Sequence, residues 1–120
     1  MAMNKASNLY PYQNIPTQAV SGNVTSSATN VFSKDNVVIQ LLWDGTLAGS
    51  FDVQVSVDYS KDTGVGTWDS LPFSPTPAAT GSPGHWTIDL NQLGSVYIQV
   101  VFTYVSGAGN LTSTIAGKGI

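Results

Sequence analysis

The sequence predicts an all-β fold: a single antiparallel β-sandwich of jelly-roll or Greek-key type, with six to eight strands and an extended N-terminal arm. Three observations carry this expectation. Apolar and polar residues alternate along several segments, the pattern of a strand with one buried and one wet face. Glycine, proline and asparagine clusters punctuate the chain between those segments. No segment shows the periodicity of an amphipathic helix. Strands this short must bury their apolar faces against a second sheet, which makes a sandwich.

The elements follow in order. Residues 1–16, with Pro11 and Pro16 near their end, read as an extended arm outside the core, and residues 17–120 as the sandwich. Residues 20–24 and 28–32 can each add a strand, the first weakened by Gly22. Residues 37–43 are apolar on nearly both sides, as in a central strand ending at Trp43. Residues 51–58 alternate most clearly: Phe51, Val53, Val55 and Val57 on one face, Asp52, Gln54, Ser56 and Asp58 on the other. The turn residues Asp44, Gly45 and Gly49 between these two strands suggest that they pair as a hairpin.

Residues 59–67, rich in Gly and Asp, read as a surface loop, followed by a short edge strand over 67–71 closed by Pro72. A second loop, 72–85, holds Pro72, Pro75, Pro77 and Pro83, which cannot continue a central sheet. Residues 86–90 alternate as a strand, with Trp86, Ile88 and Leu90 facing the core, and run into a turn at 91–94. Residues 96–104 and 111–116 form the last expected hairpin, around Gly107 and Gly109, which permit positive φ.

Composition narrows the function. At 120 residues the chain is the size of one domain, and 42% hydrophobic residues suffice for its core. Only 9% are charged, against about 25% in a typical soluble protein, so the surface is built from Ser, Thr, Asn, Gln and Gly. There are four Lys, no Arg, seven Asp and no Glu, for a net charge of −3. Lys5, Lys34, Lys61 and Lys118 are scattered, so neither phosphate backbones nor anionic membranes find a basic patch. The chain has no Cys, which removes disulfides and thiolate metal sites. No apolar stretch follows Met1, so no secretory leader is expected.

Catalytic chemistry is not expected, and neither a cofactor nor a metal. The sole histidine, His85, begins a strand, and no Gly-x-Ser-x-Gly elbow accompanies it. Asp52 and Asp58 share a strand face but stand about 20 Å apart at ~3.3 Å per residue, too far to act on one bond. Residues 58–64 offer oxygens and a glycine, but the Asp spacing is wrong for calcium, Lys61 intrudes, and no terminal Glu follows. No Lys-Ser/Thr and helix follow Gly107 and Gly109, as a phosphate loop requires. Among three Trp and five Tyr, Trp43 and Trp86 are read as core. Trp68, beside Tyr59, is the plausible exposed platform, and Tyr10 and Tyr12 in the arm join them as candidate partner or glycan contacts.

The order of segments resembles small β-rich structural proteins of tailed bacteriophages over residues 15–120. The shared features are a Gln-bearing apolar strand ending at Trp43, the alternating strand from Phe51 and the Gly-rich loop with Trp68. The strand from Trp86, the Tyr97-Ile98-Gln99-Val100-Val101-Phe102 strand and the closing strand to Gly117-Lys118-Gly119 complete them. The resemblance implies a non-enzymatic virion protein, made in the host cytoplasm, that decorates a capsid or forms part of a head or tail surface. Its partners would be capsid or tail proteins and copies of itself, as a trimer or larger ring. A carbohydrate-binding module recognising glycans is the rival reading.

Overall fold

The computed structural model describes residues 9–32, 34–73, 75–91 and 96–118. The expected arm before Leu9, and all but the first residue of the turn expected at 91–94, lie outside them. Among the described residues there is no helix, and ten strands form two antiparallel sheets. The strands are β1 (Leu9–Val20), β2 (Val24–Thr25), β3 (Thr29–Asn30), β4 (Asn36–Trp43), β5 (Ala48–Ser56), β6 (Asp69–Leu71), β7 (Ala78–Thr80), β8 (Gly84–Asn91), β9 (Tyr97–Ser106) and β10 (Gly109–Lys118). The first sheet runs β1-β10-β4-β8 and the second β2-β9-β5-β6, with β3 also beside β9 and β7 beside β5. Taken as single interrupted strands, β2 with β3 and β6 with β7 reduce the count to eight, in the two-sheet order of a jelly roll.

The sandwich closes on side chains that alternate inward. From the first sheet come Val37, Ile39, Leu41, Trp43, Leu111 and Ile115, and from the second Phe51, Val53, Ile98, Val100 and Phe102, all buried. Trp43, Phe51 and Phe102 form a chain of rings across the core, with centroids 5.6 and 5.0 Å apart. The Trp43 indole N–H is satisfied by the Ser82 carbonyl at 2.9 Å.

Three expectations are corrected. The arm boundary at Pro16 falls inside β1, which pairs with β10 from Leu9 to Val20 and buries Asn14 and Ile15. Its prolines are tolerated because β1 is an edge strand whose register shifts three times along the ladder. Neither expected hairpin forms: β4 pairs with β10 and β8, and β5 with β9, so both Gly-bearing links are arches from one sheet to the other. Val57, expected on the buried face, lies past the end of β5 and is 74% exposed.

The two arches are laced together. The Asp44 and Thr46 N–H groups donate to the Asn110 and Ala108 carbonyls at 3.1 and 2.8 Å. The Asn110 N–H returns to Asp44 Oδ1 at 2.6 Å, and the Ala108 N–H to Thr46 Oγ1 at 3.1 Å. Gly45 and Gly107 hold positive φ of 68° and 83°, and a Cβ at either would meet the carbonyl of the opposite arch.

Candidate interaction surfaces

Each sheet has an outer face, and the two faces differ. On the second sheet, outward residues of β5, β6 and β9 form a hydrogen-bonded row. Ser70 Oγ and Gln54 Nε2 both donate to Asp52 Oδ2, at 2.7 and 2.9 Å. Gln99 Nε2 in turn donates to Gln54 Oε1 across the β5–β9 rung at 2.8 Å. The row holds its own polar atoms in fixed directions, as neighbouring side chains on one face of paired strands permit.

At one end of this face the chain after β5 folds back over the sheet. An isolated bridge joins Ser60 and Val65, and Gly66 lets the returning loop approach the Tyr59 Cα, which an added Cβ would meet at 2.6 Å. Asp58 anchors the loop: its carboxylate accepts from the Thr67 N–H at 2.7 Å, the Thr67 hydroxyl at 2.9 Å and the Ser56 hydroxyl at 3.0 Å. The loop so covers Ser56 that this outward residue is 2% exposed. Tyr59 lies between two rings, 5.4 Å from Trp68 and 4.9 Å edge-on to Tyr97.

The Thr67 N–H and hydroxyl, with the Ser56 hydroxyl, hold the Asp58 carboxyl below its ordinary 3.8. A carboxylate depressed in the folded state contributes stability above its unfolded pKa and loses it as pH falls through the folded value. Acid titration is therefore expected to loosen the 58–67 loop below about pH 4, before the sandwich melts. Trp68 emission should report the step, and Asp58→Asn should remove its pH dependence. A pH-independent Trp68 signal in the parent protein would contradict the assignment.

The first sheet's outer face is open. Its four strands present His85, Thr87 and Asp89 from β8, Val38, Gln40 and Leu42 from β4, and Thr112, Thr114 and Ala116 from β10. Leu42 is 51% exposed and Val38 37%, large apolar side chains facing solvent on a flat sheet. Tyr10, 69% exposed, stands at the β1 end of the same face, where Tyr10, Pro11, Val38, Asp89, Ala116 and Lys118 line a shallow groove. Thr17 and Thr112 hydroxyls are linked at 2.7 Å. Among the described residues, formal charge on this face is confined to Asp89 and Lys118, near one end.

The four candidate contact residues thus divide among three places. Tyr59 and Trp68 are brought together, joined by Tyr97, which sequence reasoning left among the strand residues. Its outward phase becomes legible only from its place opposite Ser56 at the start of β9. Tyr10 belongs to the open face of the first sheet. Tyr12 turns to the margin between the sheets, where its hydroxyl bonds the buried Thr29 hydroxyl and ties β1 to β3. His85 is exposed on the first sheet, directly across the ladder from Leu42. Among the described residues, no group of three or more His, Asp or other ligand side chains stands close enough to share a metal ion.

No family model and no curated protein matches the sequence. Solved structures do match in shape. The SPBc2 prophage-derived protein YomS is similar over 98% of this chain and 97% of its own, with a TM-score of 0.54 and 8% identity. The VP2 subviral particle of infectious bursal disease virus is similar over 90% of this chain, with a TM-score of 0.57 and 10% identity; the match spans 31% of the VP2 chain. A chitosan-binding module from a chitosanase/glucanase of Paenibacillus sp. IK-5 is similar over 87% of this chain, at a TM-score of 0.49 and 21% identity. The first two likenesses establish the two-sheet fold.

Proposed function

We propose that this chain is a non-enzymatic structural protein of a virus particle, a capsid decoration or head or tail surface component that acts by protein–protein assembly. The carrying observation is the outer face of the first sheet, where Tyr10, Val38 and Leu42 stand exposed among Thr and Gln, with little charge. Docking surfaces between proteins share that chemistry, being depleted in charge at the centre and enriched in aromatic and apolar anchors. The end-to-end likeness to a prophage-derived protein, and the same sandwich within a virus particle protein, support the reading. Its partners are then capsid or tail proteins.

The glycan alternative would use Trp68 and Tyr59, and here the geometry is less favourable. Tyr59 packs against both Trp68 and Tyr97, and Trp68 is half-buried, so these rings already occupy one another.

The test is whether the chain travels with purified particles through a density gradient. We expect it to co-sediment, and Leu42→Lys with Val38→Lys to release it while leaving its melting temperature within a few degrees of the parent. Particles that form and infect without the chain bound would overturn the proposal. So would a saturable change of Trp emission on sugar titration that Trp68→Ala abolishes.

A further inference from the structure

The sandwich has four margins, and three are built against strand addition. β1 carries Pro11 and Pro16 and shifts register three times against β10. β2 and β3 have two residues each, and β6 and β7 three each, with Pro72, Pro75 and Pro77 between the latter pair. Such breaks deny an incoming strand a continuous row of backbone partners.

β8 has none of these protections. All eight of its residues pair in register with β4, from Gly84 opposite Trp43 to Asn91 opposite Asn36, without a bulge, proline or lysine. Among the described residues, the backbone hydrogen bonds made outside the strand ladders involve none of Gly84–Asn91. Of its inward side chains Ile88 is buried, while Trp86 and Leu90 on either side of it are only half-buried at the margin of the core, the part-open apolar rim that a neighbouring strand would cover.

We propose that β8 is the edge through which two copies of this chain join, antiparallel about a two-fold axis at Thr87, to make one continuous sheet from their two four-stranded sheets. The side chains are self-complementary in that register. His85 of each copy stands opposite Asp89 of the other on the exposed face, and Trp86 stands opposite Ile88 on the inner one. Moving the axis to Asp89 sets two carboxylates face to face, and moving it to His85 sets two imidazoles. Only the axis at Thr87 pairs both histidines with both acids. A closed two-fold contact of this kind uses the same patch twice and leaves no β8 edge for uncontrolled growth. The pair stands whether or not the chain is a virion protein, because the purified chain alone carries the test.

Thr87 faces its own copy at the axis, so charge placed there acts against itself. The full chain is examined near pH 6 by sedimentation equilibrium up to about 1 mM. We expect a dimer, with Thr87→Lys and Thr87→Glu each monomeric at the same concentrations and matching the melting temperature of the parent at dilutions where the parent has dissociated. An equimolar mixture of the two variants should form the heterodimer. His85→Asp should weaken the pair ~tenfold or more, and adding Asp89→His should restore it. A parent protein monomeric throughout would overturn the proposal. So would an oligomer that Thr87→Lys leaves intact, or a Lys and Glu mixture that stays monomeric.

Discussion

Replacing Gly107 with alanine is expected to cost about 3–5 kcal/mol of folding stability, a loss that exposed loop substitutions rarely approach. Two effects add. Gly107 has a φ of 83°, which an L-residue adopts only with strain. A Cβ there would also meet the Thr46 carbonyl, a backbone atom of the opposite arch that cannot rotate aside. Moving Thr46 breaks the N–H bond it donates to Ala108 and the hydroxyl contact that answers it. The damage therefore reaches β4–β5 and β9–β10 together, the links that carry the chain between sheets. Urea denaturation followed by Trp emission measures the loss. Gly64→Ala is the control for strain alone, since its φ is 69° but an added Cβ there has open space; about 1 kcal/mol is expected. Equal losses at Gly107 and Gly64 would show that the contact between arches carries no weight.

How far the sequence reveals this architecture depends on what each residue can encode locally. The alternation of Phe51, Val53 and Val55 with Asp52, Gln54 and Ser56 names a half-buried strand without reference to anything distant. Strand partners are not local. Asp44-Gly45 and Gly107-Ala108 mark places where the chain reverses, and an arch between sheets needs the same positive φ as a hairpin within one. What distinguishes them is the lacing of Thr46 to Ala108, a pairing across 62 positions. Pro11 and Pro16 misdirected the reading of β1 because proline excludes a central strand but not an edge. The candidate surfaces were legible in part for a related reason. Tyr59 and Trp68 stood out as aromatics in a loop. Tyr97 could not, since an outward ring at the start of β9 reads like one more core residue until Ser56 is seen beside it. The exposed Leu42 and Val38 were hidden the same way, in a run whose apolar side chains alternate between core and solvent.

Truncating Phe51 to alanine is expected to destabilise the protein by about 3–5 kcal/mol, a third or more of a typical domain's stability. Phe51 is 2% exposed and sits on β5, in contact with Trp43 of the opposite sheet and Phe102 of its own. Removing the ring takes away the buried area and both aromatic contacts, and leaves a void that neither sheet can close without breaking ladder registers. Leu42→Ala supplies the contrast: its side chain is 51% exposed on the outer face, and its removal should shift stability by no more than about 0.5 kcal/mol. The two substitutions lie on opposite sides of the same architecture, since Leu42 precedes Trp43 and their side chains point to opposite faces of β4. Equilibrium unfolding of both variants thus separates what holds the sheets together from what the open face is free to contact. A Phe51→Ala loss below about 1 kcal/mol would mean that the sheets do not pack through this stack. A comparable loss at Leu42 would mean that the outer face is itself structural, and the docking role assigned to it would fall.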